Sequence, residues 1–212
     1  MDDRSRSHFG ALTVGATSSK SDAVLANTLF VSRSSHRRHS NRTHSKDGRL
    51  SRNLLVALAA FVALTFSAAG IGSTFTARSV RTWYLTLRKP AGNPPASYFG
   101  PVWTALYFLM AVAAWNVWRV GDGWAGASPA ITIFLIQLAL NAAWSAIFFG
   151  MRSPGLALVE IILLWAAILA SVILFWRIST FSGALLVPYL SWVTYAAYLN
   201  AGIWRLNPQP DP

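Results

Sequence analysis

Hydrophobic residues in this chain do not alternate with polar ones but gather into five long blocks, approximately Leu54–Thr76, Pro101–Val120, Pro129–Phe149, Gly155–Trp176 and Ser182–Trp204. Each is close to the roughly 20 residues that a helix needs to cross a hydrocarbon core about 30 Å thick. Leu54–Ala69 has Thr65 and Ser67 as its sole polar members and carries no charge, so it lacks the polar face that a helix of a water-soluble protein turns outward. Strands of a membrane barrel are about ten residues long and alternate in polarity, and these blocks do neither. The pattern predicts an all-α membrane protein, a five-transmembrane-helix bundle.

The connections support it. Gly121-Asp122-Gly123, Arg152-Ser153-Pro154-Gly155 and Arg177-Ile178-Ser179-Thr180 are short, so consecutive helices are antiparallel neighbours. One loop is long: Ala77–Gly100 carries Arg78, Arg81, Arg88 and Lys89, and its Pro90, Pro94 and Pro95 stiffen it. Basic residues fall on both sides of the predicted spans, so positive-inside counting leaves orientation open.

Composition divides the chain. Residues 1–53 hold ten of the eighteen Lys and Arg, all four His and eleven Ser, whereas residues 54–212 hold all ten Trp. The net charge of +11 is therefore segregated from the aromatic residues, against a nucleic-acid surface, which would interleave them. Residues 1–53 read as a disordered basic tail or an organelle transit segment, 54–207 as the transmembrane ligand-binding domain, and 208–212 as a short C-terminal tail. The basic cluster Arg37 to Arg52 also suits anionic headgroups, and Asn41-Arg42-Thr43 is a formal glycosylation sequon. With no cysteine in the chain, disulfides and thiolate metal sites are excluded.

Polar residues within the spans need partners. Gln137, Asn141 and Trp144/Ser145 share one face of the third span, which must look into the bundle. Glu160, the sole carboxylate in the spans, lies near enough to an interface to reach water or a partner hydroxyl. Trp118, Trp124, Trp176 and Trp204 sit at span ends, as interfacial tryptophans do, whereas Trp144, Trp165 and Trp192 lie deeper, and Trp144 and Trp192 there either pack or line a pocket. Gln137 and Asn141 equally suit interhelical hydrogen bonding or ligand contact. Ala139, Ala142, Ala143 and Ala146 permit close helix approach, including between protomers. No catalytic or metal-binding constellation emerges, and what remains is an aromatic, mildly polar cavity under a basic lid. It suits a large, flat, apolar ligand bearing carboxylates.

Several motifs in order carry a family resemblance. Trp83-Tyr84-Leu85-Thr86-Leu87-Arg88-Lys89-Pro90, then Pro94-Pro95, Phe99 and Pro101-Val102-Trp103-Thr104-Ala105-Leu106-Tyr107, resemble the signature of the tryptophan-rich sensory protein/translocator protein family, also called the peripheral benzodiazepine receptor family. Trp115 and Trp118, the run Gln137–Ser145, Pro188-Tyr189-Leu190-Ser191-Trp192, Tyr198-Leu199-Asn200 and Trp204-Arg205 continue it, so that it covers about residues 54–207. The resemblance implies a membrane-embedded, usually homodimeric five-helix bundle that binds tetrapyrroles such as protoporphyrin IX or haem, with no obligatory cofactor, in porphyrin sensing, sequestration or transport. It also implies alternatives: a sterol or lipid carrier, or light-dependent porphyrin breakdown. The membrane is the mitochondrial outer membrane or another organelle membrane in a eukaryote, the cell envelope in a bacterium. Carried over by position, Trp83 and Trp192 match pocket tryptophans, and Trp103 and Asn141 match cavity-lining residues. Ala196 matches a small residue whose enlargement alters ligand fit, and Lys89, Pro90, Pro94 and Pro95 belong to the lid. Tyr107, Gln137 and Trp144 complete the expected ligand-binding set. Two departures stand out: Ala91-Gly92-Asn93 replaces a lid segment that is aromatic in many members, and Tyr198 lies seven positions before Arg205, too far for the sterol consensus.

Overall fold

The computed structural model describes residues 52–208. The expectations for the amino-terminal tail and the last four residues fall outside that range. The predicted spans all fall within helices. The first lies in α1 (Arg52–Val80), the second in α3 (Phe99–Val120), the third in α4 (Trp124–Ser145) and the π-helical turn that follows it, the fourth in α5 (Pro154–Ile178) and the fifth in α6 (Thr180–Leu206). A short α2 (Trp83–Thr86) and a 3-10 turn (Ala96–Tyr98) interrupt the long loop, and α4 ends in a π-helical turn, Ala146–Gly150. Four of these helical stretches among the described residues are long and apolar enough to cross a membrane: Arg52–Val80, Ala96–Val120, Trp124–Gly150 and Pro154–Ile178. The 27-residue α6 has the length but is less apolar, because Ser182, Ser191, Thr194 and Asn200 dilute it.

α5 packs most extensively against α6 and α4, and α3 bridges α6 and α4. The core between them is built from Met110, Val117, Phe134, Ile161, Leu164, Phe175, Leu186 and Val193, all almost fully buried. Outward faces such as Leu156, Val159, Ile162 and Leu163 of α5 are exposed and apolar, as a lipid-facing surface requires. Trp124, Trp176 and Trp204 are exposed at helix ends.

Polar side chains cross-link the helices at three levels. Near one end, Asn116 Nδ2 donates to the hydroxyls of Ser179 (3.0 Å) and Ser182 (2.8 Å), and Arg119 donates to Asn116 Oδ1 at 2.8 Å. In the middle, Trp165 Nε1 donates to Thr194 Oγ1 at 2.8 Å. Near the other end, Asn200 accepts from Trp144 Nε1 at 3.2 Å and donates to the Pro154 carbonyl at 2.7 Å, tying α6 to α4 and α5. Glu160 departs from expectation. It is buried rather than close to water, and among the described residues neither carboxyl oxygen makes a hydrogen bond. The α5 stripe Ala157–Glu160–Ile161–Leu164 turns it inward with its apolar neighbours.

Asn200 supplies the clearest stability prediction. Asn200→Leu strands the Trp144 indole N–H and the Pro154 carbonyl, at a cost of about 1–2 kcal/mol. Thermal unfolding in detergent reads this as a lowered midpoint, whereas Ser191→Ala, on the exposed face, shifts stability by less than about 0.5 kcal/mol.

Candidate functional site

A cavity of about 770 Å³ lies among α1, α3, α4 and α6 beneath the long loop. Its floor is a chain of hydrogen bonds. The Tyr107 hydroxyl donates to Asn141 Oδ1, Asn141 Nδ2 donates to the Tyr189 hydroxyl at 3.1 Å, and Tyr189 donates to Gln137 Oε1 at 3.0 Å. The spacing of α4 makes this possible, since Gln137 and Asn141 lie one turn apart on its buried face. With its carbonyl taken by Tyr107 and its amide by Tyr189, Asn141 presents a fixed, neutral polar edge to the cavity.

The walls are aromatic. Trp103 lies beside Tyr107, with ring centroids 5.5 Å apart, and meets Tyr189 edge-on at 6.2 Å. On α6, Trp192 meets Phe99 edge-on at 6.2 Å. Trp144 stacks on Phe148 at 5.0 Å with 22° between the planes. Phe148 and Phe149 both line the cavity from the π-helical turn, whose i→i+5 pairing shifts the side-chain phase. The Phe149 carbonyl accepts from Ser79 Oγ at 2.7 Å, which holds the end of α1 against this wall. Arg81, just beyond α1, is the one charged residue of the lining among the described residues.

The loop forms a strap above. Its turn Pro90–Asn93 is closed by Asn93 N–H donating to the Pro90 carbonyl at 3.3 Å, with Gly92 at φ +84°. That combination is a type II turn, whose third position favours glycine. The Tyr195 hydroxyl donates to the Gly92 carbonyl, and Tyr198 to the Ala91 carbonyl at 3.4 Å. Asn207 exchanges two hydrogen bonds with the Arg88 backbone, at 2.9 and 2.8 Å. Pro90 packs so closely on α6 that a Cβ at Gly202 would lie 2.7 Å from its ring. Lys89 Nζ stands 4.7 Å over the Tyr84 ring, and the Tyr84 hydroxyl donates to Asn93 Oδ1 at 3.0 Å. Burial pushes the Tyr84 hydroxyl above its ordinary pKa, against the pull of the Asn93 bond, so at neutral pH it keeps the proton that it donates.

Of the residues expected from sequence, Trp103, Tyr107, Asn141, Trp144, Trp192 and Ala196 line the cavity. Gln137 lies behind Asn141, bonded to Tyr189. Trp83 stands behind Phe148, its ring edge-on at 5.7 Å. Lys89, Pro90, Pro94 and Pro95 are in the strap, and none of them is part of the lining. The lining also includes Phe66, Arg81, Tyr84, Phe148, Phe149 and Asn200, which sequence reasoning did not assign to the ligand set. Asn200 and Tyr84 both fall in motifs that carry the family resemblance. Nothing in the sequence signals the π turn that brings in both phenylalanines. Among the described residues no group of acidic, His or Cys side chains is arranged to hold a metal ion.

A family model for the TspO/MBR family matches residues 60–205. The Tryptophan-rich protein TspO of Chlorobaculum tepidum is 44% identical over 156 residues, which cover 73% of this chain and 98% of that protein. The protein of the same name from Archaeoglobus fulgidus is 40% identical over 73% of this chain and 96% of its own length. The Translocator protein of Homo sapiens is 38% identical over 65% of this chain and 82% of its own. With the apolar helices described above, these likenesses establish that the chain is a multi-pass integral membrane protein and that it belongs to the TspO/MBR family.

Proposed function

We propose that this protein binds a tetrapyrrole of the protoporphyrin IX or haem type in its intramembrane cavity and serves in porphyrin sensing, sequestration or transport. The observation that carries the reading is the placement of Trp103, Trp144 and Trp192 around one largely apolar cavity of about 770 Å³ with Arg81 in its lining. That volume lies within the roughly 300–1,000 Å³ of sites for ligands of this size. Indole rings stack on a flat macrocycle, Asn141 offers a neutral polar contact to its centre or edge, and Arg81 meets a propionate. The binding unit is a bundle of five spans, with α6 as the fifth. Its 27 residues reach about 40 Å at roughly 1.5 Å each, and it runs antiparallel to α5. The protein acts as a homodimer, a reading supported by exposed Ala139 on the outer face of α4, where a small residue permits close approach of a second helix.

Titration of the purified protein with protoporphyrin IX, followed by tryptophan quenching, tests the reading. Saturable one-to-one binding is expected, and unsaturable quenching would remove it. Trp103→Ala or Trp192→Ala is expected to weaken binding by about 1–2 kcal/mol, or roughly five- to thirtyfold in Kd. Ala196→Phe fills part of the cavity and is expected to weaken binding at least as much.

Trp83 provides the contrast. Because it touches Phe148 rather than the cavity, Trp83→Phe is expected to change Kd by less than about twofold, whereas Trp192→Phe has the larger effect.

A further inference from the structure

The cavity is open along one side. On α1 the lining residues Phe66, Gly70, Ser73 and Ala77 recur every three or four positions, which puts them on one stripe of the helix, and all are exposed. Ala96, Gly100 and Thr104, on the 3-10 turn and the start of α3, also line the cavity and are also exposed. Apart from Phe66 every one of these side chains is small, and a Cβ added at Gly70 or Gly100 would meet no atom within 4 Å. The two helices do touch farther along. The Trp115 indole donates to the Leu54 carbonyl at 2.9 Å, and the rings of Phe66 and Tyr107 lie 6.2 Å apart. A slot therefore runs from the Phe66–Tyr107 contact toward the loop end of the bundle.

Its depth places it in the hydrocarbon. Gly70 lies six residues before Thr76, the end of the apolar block, or about 9 Å along the helix at roughly 1.5 Å per residue, and Phe66 lies about 15 Å in. In a core about 30 Å thick, the slot from Phe66 to Ser73 therefore faces acyl chains rather than water. On the strap side the loop is held to α6 by the Tyr195, Tyr198 and Asn207 hydrogen bonds and by the seating of Pro90 on Gly202. Lifting the strap breaks these contacts, whereas among the described residues no hydrogen bond spans the slot.

We propose that the cavity exchanges its occupant sideways with the bilayer through the slot between α1 and α3, and that the occupant is a planar, lipid-dissolved molecule with an acid group at one edge. The flat faces of such a molecule pass from acyl chains to indoles without crossing water. Arg81 lies four positions beyond Ala77, at the loop end of the same stripe, where an acid group trailing at the membrane surface meets a guanidinium. The chemistry of the occupant rests on the tetrapyrrole reading above, but the route does not.

Because the chain contains no cysteine, Ala196→Cys places a single thiol in the cavity of the full-length protein. In phosphatidylcholine vesicles, pyrene maleimide dissolved in the lipid is expected to label it faster than a membrane-impermeant sulfonated maleimide. Adding Gly70→Leu and Gly100→Leu fills the slot and is expected to slow pyrene labelling by about tenfold or more. Adding Gly70→Ala and Gly100→Ala instead leaves the slot open and the rate near that of the parent, so a slowed Leu variant is not a folding effect. Loosening the strap with Tyr195→Phe is expected to leave the rate unchanged. The proposal is overturned if the sulfonated reagent labels faster, or if Tyr195→Phe accelerates labelling while the Leu pair has no effect. Protoporphyrin IX association and dissociation are expected to slow together in the Leu pair. If the wild-type protein fails to bind protoporphyrin IX while the labelling order holds, the tetrapyrrole reading falls and the lateral route stands.

Discussion

Within a bilayer a polar side chain has to find its partner inside the protein, and the hydrogen-bond chain Tyr107–Asn141–Tyr189–Gln137 meets that requirement for three helices together. Each bond contributes modestly, on the order of 0.6–2 kcal/mol. Their joint effect is on register. Sliding α3, α4 or α6 past its neighbours by one residue would break a link and leave an amide or phenol unpaired among Leu138, Val193 and Met110. The contact that sets the register also fixes the cavity floor, because Asn141 belongs to both. Packing and site are thus decided by the same few atoms, which places an amide where an isolated polar group would be hard to keep.

The walls follow from a second constraint, the phase of α4. A regular α-helix turns consecutive residues about 100° apart, so the phase at which α4 reaches the cavity decides which of its side chains form the wall. The π turn at Ala146–Gly150 changes the phase at the position where the helix reaches the site. Ser79 then takes the Phe149 carbonyl, which binds α1 to the altered turn. α1 is held there, and again at Leu54 and Phe66, but the stretch between carries glycine, serine and alanine toward α3. Anchored at its ends and small in between, this helix leaves an opening rather than a seal.

Much of this was legible in the sequence. Length and polarity located every long helix to within a few residues, because the bilayer imposes both. The shared face of Gln137 and Asn141 was readable because helical periodicity alone puts them together, and the structure resolves their role as floor and support. Trp103 is legible only through the family motif, whereas the depth of Trp192 in its span already marks it as packing or pocket-lining. Other features were not legible. Glu160 counted from the end of its span appeared close to water, but distance along a helix says nothing about which way the side chain faces. Trp83 and Phe148 sit 5.7 Å apart across a loop and a π turn, and neither element is encoded by periodicity. The α1 stripe of small residues reads the same whether it faces lipid or a cavity. The lower hydropathy of α6 has a legible cause, since Ser182, Thr194 and Asn200, which bind its neighbours, are among the residues that dilute its average.

The strap shows how a departure from a family pattern is accommodated. Ala91-Gly92-Asn93, between the Lys-Pro and Pro-Pro pairs, carries no ring. Gly92 in turn allows φ +84°, a conformation that costs a bulky side chain about 1 kcal/mol or more. The tight turn that results aims the Ala91 and Gly92 carbonyls at α6, where Tyr195 and Tyr198 stack with ring centroids 6.3 Å apart and donate to them. Trp192 extends the same aromatic ladder, 5.9 Å from Tyr195, down to the cavity wall. The helix thus grips the turn with Tyr195 and Tyr198, while Tyr84 holds Asn93 from the loop itself. A strap held by backbone acceptors tolerates change in its side chains, but it depends on the register of α6 and so on the hydrogen bonds of Tyr189 one turn and a half before Tyr195.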